Sequence, residues 1–218
     1  MILMLNCSYK AKNGNTQHFL ELLKENVIAQ STALDKDSVA RIAITESDVE
    51  IASLKNVLNG GLDDFNDKLA QADAFVIGAP LYVDGLPAQA VRLLEMLLET
   101  DKERFVSKPV YVVSNLGFYE AEQITPLLEI VRNWCSRMQM VYGGGFAIGA
   151  GPLVRPLKSV PCTGWLHKDV KKGIGILADA IAKQRIMDNY YAKTKLPRAA
   201  YLNIAHISFK KQMKENGV

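Results

Sequence analysis

The sequence predicts an α/β protein built on a doubly wound, five-stranded parallel sheet with a helical extension at its C-terminus. Two observations predict it. Short apolar runs of strand character alternate with longer segments of helical period along most of the 218 residues. That length suits one sizeable hydrophobic core and does not require two. Strands separated in this way by helices pair in parallel and are covered on both faces.

Ile2–Asn6 is mostly apolar and reads as the first, buried strand. A polar turn follows, and a helix begins at Asn15 or Thr16, with Phe19, Leu20, Leu22, Leu23 and Val27 at helical spacing and fraying expected near Gln30–Ser31. Val39–Ile44 is expected as the second strand, and Glu46–Asn59 as a loop with a helical piece, broken at Asn59-Gly60-Gly61. Asp63 and Asp64 suit a helix start, where the free N–H groups favour acids, and Phe65 and Leu69 give that helix an apolar side. Ala74–Ala79 is the third strand, and Pro87 opens the helix carrying Val91, Leu94 and Leu98. Val110–Ser114 is the fourth strand. One long helix is expected from about Glu120 to Met138, with Pro126 in an early turn where it costs least. Met140–Ile148 contains the fifth strand; Gly143-Gly144-Gly145 inside it implies a bulge or a close backbone approach. Gly149–Trp165 reads as a long surface loop, Val170–Tyr190 as a strong helix, and Ala199–Glu215 as a last helix after the break at Pro197.

Composition is ordinary for a globular protein, 49% apolar and 22% charged, and a net charge of +3 gives no case for a nucleic-acid partner. The segment from Lys183 to Val218 holds eight Lys or Arg against two acids, Asp188 and Glu215; a solvated helix face accounts for it as well as an anionic partner does. Cys7, Cys135 and Cys162 are scattered and lack metal-ligand spacing, which fits a reducing cytoplasm. The Met-Ile-Leu-Met start is too short for a signal peptide, and no run of 18 apolar residues suggests a membrane span. His18 reads as a surface or cap residue, His167 as a local cap or an active-site lid residue, and His206 as structural; none forms a metal-ligand pattern with Cys or acids. Cys7 borders the first loop, where either a packed thiol or one of depressed pKa is compatible with the sequence.

Three strand ends carry unusual residues, and ligands of doubly wound sheets gather beyond the carboxyl ends of strands. At the first, Ser8, Asn13, Asn15 and Thr16 offer short polar side chains, Gly14 permits a tight turn, and Lys10 or Lys12 stands at the rim. This is a phosphate cup at a helix N-terminus or an ordinary capped turn. At the third, Pro80-Leu81-Tyr82-Val83 runs into Asp84-Gly85 and makes a rigid rim with an aromatic face. At the fourth, Asn115-Leu116-Gly117-Phe118-Tyr119 combines backbone donors with aromatics. Together the three describe a site for a long ligand with a phosphate and a flat ring system, and flavin mononucleotide (FMN) has that shape.

Cys7-Ser8 with Asn13-Gly14-Asn15-Thr16, Ala79-Pro80-Leu81-Tyr82 with Pro87, and Asn115 to Tyr119 resemble the flavodoxin-like NAD(P)H-dependent FMN reductases over Met1 to about Ala182. The branch of multimeric flavodoxins and iron–sulfur flavoproteins is nearest, without its cysteine cluster, so no cluster is expected. The departures are Cys7 in place of a glycine and Tyr9 in place of a proline. The resemblance implies a flavodoxin-like strand order 2-1-3-4-5, an FMN-binding domain over 1–190, and a helical extension of the same domain over 191–218. It implies that Ser8, Asn13, Asn15 and Thr16 hold the FMN phosphate, with Gly14 and Lys10 in the same loop. Pro80, Leu81, Tyr82 and Val83 would line the ribityl and ring region, and Asn115, Gly117, Phe118 and Tyr119 the other edge.

The reaction implied is ping-pong: NADPH or NADH passes hydride to FMN, and a small acceptor such as a quinone, nitroaromatic, flavin or ferric chelate takes the electrons. No side-chain acid or base is required for hydride arrival, so no catalytic residue is assigned. A homodimer or homotetramer is implied, with FMN sites partly built by the neighbouring subunit and the C-terminal run from Tyr190 and Tyr191 to Lys214 as a contributor. Two other readings remain: an FMN-binding electron carrier without nicotinamide turnover, and a non-enzymatic regulatory module of the same fold. A Rossmann domain is disfavoured because no Gly-x-Gly-x-x-Gly turn follows the first strand, and a P-loop because no Gly-Lys-Ser/Thr does.

Overall fold

The computed structural model describes residues 1–10, 13–34, 43–151 and 168–217. All five residues of β1 (Ile2–Asn6) are buried, as a strand covered on both faces requires. It pairs in parallel with β2 (Val49–Ser53) on one side and β3 (Ala74–Pro80) on the other. β4 (Pro109–Asn115), β5 (Val141–Ile148) and β6 (Tyr190–Ala192) follow, all parallel. The order is β2-β1-β3-β4-β5-β6. The sheet is therefore six-stranded rather than five-stranded: the expected 2-1-3-4-5 order is extended by a short edge strand.

One face of the sheet is covered by α1 (Asn15–Leu34) and α6 (Lys168–Ala182), which bury Phe19, Leu20, Leu23 and Leu177 against Met4, Val76 and Phe146. The other is covered by α2 (Leu54–Leu58), α3 (Leu62–Gln71), α4 (Ala88–Leu98) and α5 (Thr125–Arg137), with Phe65, Leu93 and Leu128 inward. α7 (Arg198–Glu215) follows Pro197 and has one buried residue, Tyr201. No helix among the described residues is long and apolar enough to cross a membrane.

Two close approaches fix the layers. A Cβ on Gly78 would fall 2.7 Å from Leu20 Cδ1, so glycine there lets α1 lie close against β3 and sets where α1 begins over the sheet. In β5 the glycine run does what its composition implies. The register with β4 shifts at Val110/Tyr111, Gly144 has φ +116°, and a Cβ on it would fall 2.5 Å from Met187 O.

Several expected boundaries differ. The second strand is Val49–Ser53, not Val39–Ile44; residues 43 and 44 are not strand, and 39–42 lie outside the described residues. An edge strand escapes a search for apolar runs because one side stays wet: Val49 is buried, while Glu50 pairs with Lys68 at 2.8 Å. The helix expected over Val170–Tyr190 ends at Ala182. Gln184 takes a left-handed φ of 51°, and the Arg185 and Gln184 N–H groups bond the carbonyls of Ala180 and Ile181, which is the Schellman stop usually made with glycine. The helix expected from Glu120 is a 3-10 turn over Ala121–Ile124 leading into α5. Most of the loop expected over Gly149–Trp165 lies outside the described residues, as do Lys12, Cys162 and His167.

Candidate functional site

The parallel sheet brings the carboxyl ends of β1, β3 and β4 side by side: Asn6 pairs with Gly78, and Pro80 with Asn115. The pairing continues past the strands, with Leu81 N–H donating to Asn115 O at 2.9 Å. Above these ends lies a cavity of about 450 Å³. Its walls hold Ser8, Lys10, Gly14, Asn15 and Thr16 from the first loop and the start of α1, Pro80, Leu81 and Tyr82 from the second, and Asn115, Leu116 and Gly117 from the third. A volume of this order falls within the range of roughly 300–1,000 Å³ usual for cofactor sites.

Local chemistry shapes each wall. Asn6, buried at the end of β1, accepts a hydrogen bond from Ser8 N–H at 2.9 Å and donates its amide to Gln17 Oε1 at 2.8 Å. It thereby ties the start of the loop to the first turn of α1, as Asn does in tight turns. Sequence reading missed Asn6; an Asn closing a strand ahead of a polar loop was the available signal. Thr16 is buried in the first turn of α1, inside the helix rather than capping it. Its hydroxyl oxygen accepts a hydrogen bond from Asn115 Nδ2 at 3.0 Å, which leaves the hydroxyl proton free to be donated. This bond locks the first wall to the third.

Not every expected residue reaches this cavity. Asn13 lines a neighbouring cavity of about 660 Å³ beside β2, together with Glu50, Asp64 and Lys68. Lys10 lies at the boundary and borders both cavities. The larger one has no wall from the Pro80 or Asn115 loops and is edged by the mutually paired charges Lys68–Glu50 and Lys68–Asp64. Val83 points out of the molecule, fully exposed. It and Asp84 are the centre of a two-residue turn with φ of 47° and 59°, closed by reciprocal hydrogen bonds between Tyr82 and Gly85 at 3.0 and 3.1 Å. Phe118 is exposed, and Tyr119 donates its hydroxyl to Leu196 O at 2.7 Å instead of facing the cavity. Gln212 of α7 completes the lining, a contribution from the far end of the chain that no local pattern announces.

The fit to FMN is good on two observations. A Cβ on Gly117 would meet nothing within 4 Å, so the third wall faces open space. The first wall is a set of neutral donors at a helix start, with Lys10 as the one charged residue of the lining among the described residues, which suits a phosphate at one end and a polar chain with a neutral ring beyond it.

Tyr82 is half-exposed and also borders an open groove of about 620 Å³ shared with Cys7, Tyr9, Val83, Leu86 and Arg92. Burial pushes the Cys7 thiol up to about 12, so the depressed pKa that its loop position allowed is not what the structure has, and the buried Cys135 is pushed up to about 12 for the same reason. His18 lies in the first turns of α1 with its ring 5.7 Å from that of Phe19, and His206 is exposed on α7 rather than packed. No group of three or more His, Cys, Asp or Glu is placed to hold a metal among the described residues.

Comparison with known proteins gives the fold and the family. Solved structures that resemble the chain include an oxidoreductase from Corynebacterium diphtheriae, at 15% identity and TM-score 0.61, covering 84% of this chain and 94% of that one. An NADH:FMN oxidoreductase in its apo form aligns at 14% identity and TM-score 0.60, covering 84% and 89%. A protein described as an NADPH-quinone reductase from P. pentosaceus aligns at 16% identity and TM-score 0.53, covering 83% and 95%. At such identities these establish the flavodoxin-like fold alone. No curated protein matches in sequence. The family model of NADPH-dependent FMN reductases matches residues 1–152, which include β1 to β5 and all three loops of the cavity. The chain therefore belongs to the NADPH-dependent FMN reductase family, FMN-dependent oxidoreductases that draw their electrons from NAD(P)H.

Proposed function

We propose that this chain binds FMN in the 450 Å³ cavity and uses it to pass electrons from a reduced nicotinamide to a small acceptor such as a quinone, nitroaromatic, free flavin or ferric chelate. The observation that carries this reading is the convergence of three loops, far apart in sequence, on one cavity of cofactor size. Bound there, FMN supplies the hydride-accepting and electron-donating chemistry. Ser8, Asn15 and Thr16, with Gly14 in the turn and Lys10 at the rim, hold the phosphate end. Pro80, Leu81 and Tyr82 form the wall on one side of the ring, and Asn115, Leu116 and Gly117 the wall on the other.

The protein's part is placement. Asn115, held by Thr16, keeps two walls at fixed separation. Tyr82, shared with the outer groove, is where the second flat molecule stacks. Residues 1–190 act as the binding domain and 191–218 as its extension. Two buried free thiols suit a reducing compartment such as the cytoplasm. Exposed Phe118, Leu202, Ile207 and Phe209 support assembly into a homodimer or homotetramer, measurable by light scattering.

The deciding experiment is an anaerobic difference spectrum of FMN-loaded protein with NADPH and with NADH. Bleaching of the flavin band by either supports a reductase. Bound but unbleached flavin assigns the chain to electron carriage, and failure to take up FMN rejects the site.

A further inference from the structure

We propose that α7 is a strap laid along the cofactor pocket and that the side-chain amide of Gln212 is one of the groups that hold the bound FMN. This rests on the FMN reading above and goes beyond it, because α7 lies outside the 1–152 segment that defines the family.

The strap is fixed at one end only. Tyr201 donates its hydroxyl to Gly117 O, its ring lies 5.7 Å from that of Tyr119, and Arg198 Nε meets Glu120 Oε1 at 2.8 Å. These contacts bind the first turn of α7 to the third loop of the pocket. Gln212 then reappears in the wall of the same cavity. Eleven residues of helix rise about 16 Å, so α7 runs along the pocket and does not merely end at it.

Tyr201, Ala205, Ser208 and Gln212 recur at intervals of four, three and four and share one helix face. Tyr201 and Gln212 at its two ends both border the pocket region, which turns this face toward it. The opposite line, Asn203, Ile207, Lys210 and Lys214, is mostly polar, with Ile207 as its exposed apolar member. Yet past Tyr201 the inward face is only lightly covered among the described residues. Ala205 is half-buried, and Ser208 and Gln212 are exposed. A helix of 18 residues with one buried side chain gains little from the core beneath it, and in proteins most helical stability comes from packing of one face. The open cavity below is the place for the missing packing partner, and a ligand lying between the Ser8–Thr16 loop and Gly117 passes under this face. One Gln212 N–H reaches Ser208 Oγ at a long 3.4 Å, and the amide offers its other donor and its acceptor to the phosphate or the hydroxylated chain.

Two measurements on the full-length protein test this. Hydrogen exchange of the peptides covering 198–215 should slow several-fold when FMN is added, because a ligand bound under the strap stabilises it. Release of FMN, followed by its fluorescence, should be roughly fivefold faster in Gln212→Ala, the change expected for one neutral hydrogen bond. Release should be faster still in a chain ended before Arg198. Gln212 is exposed, so its substitution leaves folding intact and keeps the test valid if the shortened chain does not fold. Wild-type protein that binds FMN with unchanged exchange in α7 and the same release rate in Gln212→Ala overturns the strap and leaves the cofactor reading standing. Protection that follows protein concentration without FMN puts a second copy on α7 and overturns it too. Wild-type protein that takes up no FMN removes both.

Discussion

Replacing Thr16 with valine tests the bond that joins two walls of the pocket. Valine keeps the size and branching of threonine and removes only the hydroxyl. Thr16 and Asn115 are both buried, and the amide of Asn115 donates to the threonine oxygen at 3.0 Å. Without that oxygen a buried N–H is left unpaired, which costs about 1–3 kcal/mol of stability. The ligand-free protein should therefore unfold at lower urea by that amount. The hydroxyl also has its proton to donate to a ligand at the phosphate end of the pocket. A hydrogen bond to a charged group contributes about 1.5–3 kcal/mol, so FMN affinity should fall roughly ten- to hundredfold in addition. Urea unfolding of the ligand-free form and fluorescence titration of FMN separate the two effects. A cycle with Asn115→Ala measures their coupling, expected at roughly 0.5–3 kcal/mol for residues in direct contact. Unchanged stability and unchanged FMN affinity in Thr16→Val would refute the role given to this pair.

Three further outcomes follow from named side chains. Removing the Tyr82 ring as Tyr82→Ala should lower kcat/KM for the acceptor roughly two- to tenfold and weaken FMN binding less than Thr16→Val does, and Tyr82→Phe should behave as wild type; a Tyr82→Phe as impaired as Tyr82→Ala would assign the hydroxyl a role. Val83 holds a φ of 47°, which costs a β-branched residue about 1–2 kcal/mol, so Val83→Asn should raise the urea midpoint by the equivalent of about 1 kcal/mol, and a drop would show that the turn is not strained. Burial holds the folded Cys7 thiol at about 12, well above the 9.0 of an exposed thiol. The unfolded chain releases that proton first, so its contribution to stability is intact below pH 9 and is lost as pH rises from 9 toward 12, at about 1.4 kcal/mol per pH unit. Cys7→Ala should flatten the alkaline slope of unfolding free energy by that amount, and an identical slope would contradict the burial.

The parts of the fold legible in the sequence are those where one physical demand acts alone. β1, β3 and β4 are covered on both faces and read as apolar runs, and β5 shows through its glycines by Val141, Phe146 and Ile148. β2 is an edge, where Glu50 serves an ion pair with Lys68, and its run is mixed. β6 is three residues long, shorter than any period can register. The end of α6 depends on Gln184 accepting a left-handed backbone, a choice enforced by tertiary context because glycine would have announced it. The site divides in the same way. Its three loops were legible because parallel strands must open at one edge of the sheet. The exceptions were not, because they turn on partners distant in the chain: Tyr119 is taken by Leu196, Asn13 faces the β2 side, and Gln212 arrives from the last helix.

The pocket's charge balance says how it holds an anion. FMN phosphate carries close to two negative charges, yet among the described residues Lys10, exposed at the rim, is the one cation of the lining. Binding must then draw on directed hydrogen bonds and on the N-terminus of α1. The first turn of that helix contains no acid, whereas the first turn of α3 carries Asp63 and Asp64. Carboxylates at α3 neutralise its free N–H end from within; at α1 that end is left for something outside the chain. A helix start contributes about 0.3–2 kcal/mol toward a negative group, less than two good charge-assisted hydrogen bonds from Ser8 and Thr16 together. Geometry therefore outweighs net charge in this cup. The Asn6–Gln17 and Thr16–Asn115 bonds, which set that geometry without occupying the phosphate-facing donors, are the reason a loop with Cys7 and Tyr9 at its entrance still suits the family's ligand.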